Sequence, residues 1–247
     1  MKTAALFALG RQFYEQVLGA WRAVCSEGEG CVKVLVIDTC GEVGSVALGD
    51  GDAAVVNESL PARGSSSALL PTVARLLEAK GWVLADLDGV GVVNGPGSFT
   101  GVRVGLAAAK GLCEAVGLQL AAVSRLEMLA VAAGLEDGLA VLDAGRGEFY
   151  VRVVAQESAV QEVLCGLDEL REMAAGGRVV VAEERLLDRL SGLQPEMIIL
   201  DAARALPLVL REFKVGSEDA ALVDANYVRC EREIYGKVLN SVNGDSV

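Results

Sequence analysis

Histidine is absent from all 247 residues. Its absence removes the Ser–His and Cys–His pairs that activate most hydroxyl and thiol nucleophiles and any metal site that needs an imidazole. Cysteine is present but scattered: Cys25, Cys31, Cys40, Cys113, Cys165 and Cys230 include no Cys-x-x-Cys pair. A four-thiolate zinc site would need distant segments to converge, and the spacing reads instead as free thiols in a reducing compartment. Aromatic residues amount to 4%, so the cores are left to Val, Leu, Ile and Ala. No stretch reaches the ~18 uninterrupted apolar residues of a membrane span. The opening apolar run stops at Arg11 with no small-residue cleavage site behind it, which is marginal for a secretory signal. The expectation is a cytoplasmic chain with no membrane partner and no metal of its own. Positive charge is also short, with 22 Lys and Arg against 34 Asp and Glu, a net of −12. Nucleic-acid affinity comes chiefly from cations neutralising phosphates, and no Lys/Arg run is present, so strong direct nucleic-acid binding is not expected.

What is present is an alternation of strand and helix patterns. In residues 1–31, Leu6, Phe13, Val17, Trp21 and Val24 fall near helical spacing, and 26–30 reads as a linker. Regular architecture begins at Val32. Strands are predicted at 32–38, 45–48 and 53–58, then a helix at 69–80 with Leu69, Val73, Leu76 and Leu77 on one face and Pro71 near its first turn. A strand at 89–93, a glycine-rich turn, a helix at about 101–116 closed by Gly117, a strand at 118–123 and a short helix capped by Ser124 follow. The opening pattern of strand, Asp, turn and strand (34–48) begins again about 105 residues later at 139–154, with Asp143 ending the strand. Helices at 167–175, 183–190 and 202–214 and a short strand at 197–200 complete the chain. The class is α/β. The echo suggests two lobes, each led by a β-hairpin, as in the actin-like/sugar-kinase architecture; two unrelated hairpins are the alternative. The expected division is 1–31 as an extension, 32–123 and 124–239 as lobes, and 240–247 as a frayed tail.

The most informative stretch is Gly95-Pro96-Gly97-Ser98-Phe99-Thr100-Gly101-Val102-Arg103-Val104-Gly105. It follows a strand and opens a helix, so its backbone N–H groups suit either an anion or a purely structural turn. It is no Walker loop, since no Lys-Ser or Lys-Thr follows Gly101, and its glycine spacing is not that of a dinucleotide fold. Asp38 and Thr39, at the end of the first strand, suit a magnesium-water or phosphate contact, or equally a hairpin cap. Asp38, Glu42, Asp143 and Glu148 can act as paired carboxylates only if the two hairpins face each other.

Three segments then carry a resemblance. Val-Leu-Val-Ile-Asp-Thr at 34–39 with Ser-Val-Ala-Leu at 45–48, the eleven residues at 95–105, and Arg-Gly-Glu-Phe-Tyr at 146–150 resemble the TsaB family in order and spacing, and Asn-Tyr-Val-Arg at 226–229 is similar to that family's late Tyr-Leu/Val-Arg. The resemblance covers about 32–235 and implies an actin-like, two-lobed fold similar to that of TsaD. It implies a non-catalytic subunit that pairs with a TsaD-like protein. A TsaE-like ATPase joins with ATP and magnesium, which are used by the complex and not by this chain. The assembly forms N6-threonylcarbamoyladenosine at position 37 of tRNA, and the chain alone forms a homodimer. In that family the N-terminal lobe's helices form the pairing surface. The matching positions are Leu69, Val73, Leu76 and Leu77 with Val102, Leu106 and Ala109; each helix has one apolar face, so some of the seven must be core. The chain departs from TsaD at the start of the first helix, where Arg63-Gly64-Ser65-Ser66-Ser67 stands in place of TsaD's metal-binding histidines; hydroxyls are poor transition-metal ligands. Typical TsaB chains begin near Val32, so 1–31 is either an added helix or a mis-assigned start. The competing reading is a stand-alone actin-like ATPase or kinase using 95–101 for phosphate and Asp38 or Asp143 for magnesium.

Overall fold

The computed structural model describes residues 32–51, 53–62, 64–155, 161–215, 220–226 and 228. The expected extension at 1–31 and tail at 240–247 lie outside these residues.

Two five-stranded sheets are built to one plan. In the first, β1 (Lys33–Asp38), β2 (Ser45–Asp50) and β3 (Ala53–Ser59) form an antiparallel meander, and β4 (Gly89–Val93) and β5 (Gln119–Val123) add in parallel on the other side of β1, giving the order β3-β2-β1-β4-β5. In the second, β6 (Gly138–Gly145), β7 (Glu148–Val154) and β8 (Gln161–Cys165) form the meander, and β9 (Val179–Val181) and β10 (Glu196–Met197) add in parallel beyond β6. The order β8-β7-β6-β9-β10 repeats that of the first sheet. The echo in the sequence is therefore a duplicated lobe. β4 is buried along its whole length, as expected of a central parallel strand covered on both faces.

Helices supply the crossovers: α1 (Ser65–Ala79) between β3 and β4, α2 (Phe99–Val116) between β4 and β5, α4 (Leu167–Ala174) between β8 and β9, and α5 (Arg185–Arg189) between β9 and β10. Ser98 caps α2 by accepting from the Gly101 N–H, and Gly117 closes it in the left-handed conformation at φ 74°. The two remaining helices change sides. α3 (Arg125–Ala132) follows the first sheet but buries Leu126, Leu129 and Ala130 with Ala140, Leu142 and Val180 of the second. α6 (Ala202–Val215) follows the second sheet but packs on the first, where Val209 fills the space beside Gly91 and Phe213 that beside Gly89.

This exchange corrects the expected lobe boundary. Residues 202–215 and the buried Val223 and Ala225 belong to the first core, so the chain enters the second lobe at 124 and returns well before 239. Smaller corrections also follow. α1 starts at Ser65, four residues early, because Ser67 and Ala68 donate to the Gly64 carbonyl and wind a first turn from hydroxyl residues; Pro71 thus falls in the second turn. Asp143 does not end β6, which pairs on to Gly145. β8 and β9 are short and were not expected, and the strand expected at 197–200 is only Glu196–Met197. Among the described residues no helix is long and apolar enough to cross a membrane.

Candidate functional site in the cleft between the lobes

The β1–β2 turn, the starts of α2 and α3, the far end of β6 and the segment entering α5 enclose a cleft of about 650 Å³. Thr39, Ser98, Arg125, Asp143, Glu183 and Arg185 are among its walls.

The first wall is made by close approach of two backbones. Ser98 N–H donates to the Cys40 carbonyl at 2.9 Å, and Thr39 Oγ1 donates to the Gly101 carbonyl at 2.6 Å. A Cβ added at Gly97 would lie 2.4 Å from the Cys40 carbonyl oxygen, one at Gly101 2.0 Å from that of Thr39, and one at Gly105 2.4 Å from Thr39 Oγ1. These glycines, four residues apart, let α2 lie directly on the β1–β2 turn. Neither Gly97 nor Gly101 has positive φ, so space alone excludes a side chain. The N–H groups of Ser98 and Gly101 are spent inside the protein, on Cys40 and on Ser98 Oγ. Asp38 is buried and its Oδ1 accepts from the Cys40 N–H at 2.9 Å, which is the hairpin-cap geometry. Cys40 itself is buried with Sγ against the Val93 carbonyl; burial, reinforced by Asp38, pushes its thiol well above the ordinary value.

Arg125 stands at the seam. Its N–H donates to the Gly95 carbonyl at 2.7 Å and its guanidinium pairs with Glu183 at 2.9 Å, both side chains nearly buried at 6% and 11% exposure. Burial works against its charge, but Asp38 and Glu183 outweigh burial and raise its pKa above the ordinary value. Its Nε is buried without a hydrogen-bond partner among the described residues. On the second wall, Asp143 Oδ2 accepts from Arg185 at 2.8 Å and from Arg189 at 2.9 Å, while its Oδ1 accepts from the Gly145 N–H. Burial tends to raise the Asp143 carboxyl, yet the Gly145 N–H and the two guanidiniums win and hold it below its ordinary value. Arg185 also reaches the first lobe, pairing with Glu42 at 2.8 Å. The two hairpins do face each other, with the Arg185 guanidinium bridging Glu42 of the first and Asp143 of the second.

A family model described as TsaD, the tRNA N6-adenosine threonylcarbamoyltransferase, matches residues 57–198, more than half of the chain. Curated relatives include the tRNA threonylcarbamoyladenosine biosynthesis protein TsaB of Escherichia coli K12, 37% identical over 123 residues (48% of this chain, 53% of that protein), and that of Bacillus subtilis 168, 33% identical over 134 residues (53% and 58%). A solved Pseudomonas aeruginosa protein described as similar to peptidase YEAZ superposes with a TM-score of 0.68 at 26% identity, over 80% of this chain and 99% of its own. The chain belongs to the TsaB/YeaZ family. It spans about half the length of the curated TsaB relatives it matches, and its duplicated sheets are those of an actin-like fold.

An actin-like cleft raises the question of magnesium and a nucleotide, and the side chains in this TsaB/YeaZ cleft do not suit them. Asp143, near the end of β6, is already paired with Arg185 and Arg189, and Asp38, at the end of β1, is buried and accepts from the Cys40 N–H. Among the described residues, no three His, Cys, Asp or Glu side chains gather as a metal site. Of the residues expected to form a phosphate loop, Thr39, Gly97, Ser98, Thr100 and Gly101 line the cleft. Asp38, Gly95 and Pro96 are buried behind it, whereas Phe99 and Arg103 are exposed on α2 with the guanidinium 3.7 Å above the ring.

The seven positions expected at a partner interface are all core in the single chain. Leu69, Val73, Leu76, Leu77, Val102, Leu106 and Ala109 are each at most 6% exposed and lie in the first lobe's cluster. The single apolar face of each helix is wholly used by its own sheet. Sequence reasoning missed Arg125, Glu183, Arg185 and Arg189. One signal was available: Arg125 opens a helix, where the dipole disfavours a cation, so a specific anion had to lie near it.

Proposed function

We propose that this chain is a non-catalytic activating subunit that pairs with a TsaD-like protein in forming N6-threonylcarbamoyladenosine at position 37 of tRNA. A TsaE-like ATPase joins the pair, and ATP and magnesium are used at the level of the complex. Membership of the TsaB/YeaZ family supports the pathway. The observation that supports the non-catalytic part is the pairing of Asp143 with Arg185 and Arg189, with Asp38 buried and bonded to the Cys40 N–H, an arrangement unsuited to holding a metal-bound phosphate.

Because the inner faces of α1 and α2 are consumed by the core, the pairing surface on these helices is their outer side. On α1 it carries Leu70, 51% exposed, with Pro71 and Ala74. On α2 it carries Phe99, 61% exposed, then Arg103, Ala107 and Gly111 at four-residue intervals, a stripe whose small members admit another helix closely.

Co-purification with the TsaD-like protein of the same cell tests the reading, together with Leu70→Asp and Ala107→Asp. Both variants should melt like the parent and lose the partner, since a carboxylate desolvated without a counter-charge costs several kcal/mol and about 1.4 kcal/mol is tenfold in affinity. Retained pairing by both variants would place the interface elsewhere. Calorimetry with magnesium-ATP tests the competing ATPase reading, and tight binding by the chain alone would favour it.

A further inference from the structure

The two lobes are joined covalently where the chain leaves β5 at Ser124 and where it returns from β10 to α6. Two such crossings form a hinge, and a hinge alone leaves the lobes free to swing. Besides the Arg185–Glu42 pair at the mouth of the cleft, a second non-covalent tie gathers on one carboxylate.

Residues 223–226 run beside the end of β4. Asn226 N–H donates to the Asn94 carbonyl at 2.8 Å, Asn94 Nδ2 donates to the Asp224 carbonyl at 3.0 Å, and Val223 and Ala225 are buried in the first core. This segment therefore moves with the first lobe. The Asn226 side chain points the other way in bonding terms: its Nδ2 donates to Glu162 Oε2 on β8 of the second lobe at 2.8 Å. The other oxygen of Glu162 accepts from Ser124 Oγ at 2.5 Å and from Arg152 Nη1 at 2.8 Å. Glu162 thus takes one donor from the hinge, one from its own sheet and one from the returning chain. Arg152 continues the set to Glu127 of α3, and Arg211 of α6 meets the same Glu127 oxygen.

We propose that Asn226 and Glu162 form a clasp that fixes the angle between the lobes, so that this chain is a rigid two-lobed body and not one that opens and closes its cleft. The amide is the group the position needs: its backbone N–H serves one lobe and its side-chain N–H the other, with a charged acceptor that strengthens the bond. A rotation of one sheet against the other whose axis does not pass through this point must stretch the Asn226–Glu162 bond. The clasp is independent of the proposed function and accounts for the first residue of the 226–229 segment.

The test is the distance between nitroxides attached through non-natural residues at Val83 in the first lobe and Glu172 in the second, both exposed, measured by double electron–electron resonance on the full chain. The parent should give one narrow distribution. Asn226→Ala and Glu162→Ala should at least double its width, and Asn226→Asp, which sets two carboxylates together, should also move its centre. Should the aspartate variant not fold, the alanine variants carry the same test. Distributions as narrow as the parent's in both alanine variants, even with a lowered melting temperature, would make these bonds merely local and overturn the clasp.

Discussion

Two glycines of the same helix should respond oppositely to alanine. Gly111 lies on the exposed side of α2 with nothing within 4 Å of a Cβ built there, so alanine gains helix propensity worth up to about 1 kcal/mol. Gly101 lies in the first turn, where a Cβ would sit 2.0 Å from the Thr39 carbonyl oxygen, about 1.4 Å short of the 3.4 Å at which ordinary contact begins. That oxygen is backbone at the end of β1 and cannot rotate aside as a side chain would. The helix start must back away, giving up the Thr39 Oγ1–Gly101 carbonyl and Ser98 N–H–Cys40 carbonyl bonds. Each such bond contributes about 0.5–1.5 kcal/mol, and overpacking strain adds about 1–3 kcal/mol. After the propensity gain, these contributions leave Gly101→Ala about 1–5 kcal/mol less stable, centred on about 3 kcal/mol, a large part of the roughly 5–15 kcal/mol that holds a domain folded. At about 2–4 °C per kcal/mol for a domain of this size, the melting temperature should fall by roughly 5–15 °C and that of Gly111→Ala should rise slightly. Urea titration of both variants, with equal slopes, is the companion measurement. A Gly101→Ala variant that melts at or above the parent would refute the close-approach account of the glycine-rich turn.

Leu76→Asp and Leu106→Asp should unfold the free chain, because each loses about 1.5–3 kcal/mol of burial and leaves an unpaired carboxylate inside; circular dichroism showing native variants would put these side chains outside the core. Arg125→Met should cost about 3–5 kcal/mol, the usual penalty for stranding one partner of a buried pair, and adding Glu183→Gln should recover part of it; no recovery in the double variant would mean that Glu183 is not the stranded charge. Asp143→Asn should be less stable than the parent at neutral pH. The folded carboxyl lies below its ordinary value of about 3.9, so its contribution is present above that value and is lost as pH falls through the folded pKa. Melting curves of the two proteins should therefore converge in acid, and a gap that persists there would assign the loss to packing.

Much of the fold was legible because it is written in local patterns. The strands β1 to β5, the helices that connect them and the repeated hairpin all announced themselves through apolar runs, turn residues and caps. β8 and β9 did not: β9 has three residues, too few for a period, and β8 follows its partner after a stretch with no turn signature. The exchange of α3 and α6 was beyond reach for a different reason. An amphipathic helix states that it has an apolar face but not which sheet that face covers, and here the sheet nearest in sequence is the wrong one for both. The same limit explains the partner surface, since Leu76 and Leu106 read alike as core or interface until the sheet beneath them is placed.

The cleft shows how little of a site's chemistry its acidic motif decides. Asp38 ends β1, and Asp143 lies two residues before the end of β6, the matching lead strand of the second lobe. What each can do is set by residues from elsewhere: Arg125, at the first residue of a helix after β5, and Arg185 and Arg189, on a short helix more than forty residues beyond Asp143. Asp143 accepts from two of these guanidiniums, which help hold its carboxyl below its ordinary value. A divalent cation arriving at Asp143 would first have to displace two arginines, one of which also holds Glu42 across the mouth of the cleft. Opening a coordination site there would therefore disturb the contact between the lobes, so the pairing that silences the second carboxylate also draws the two hairpins together.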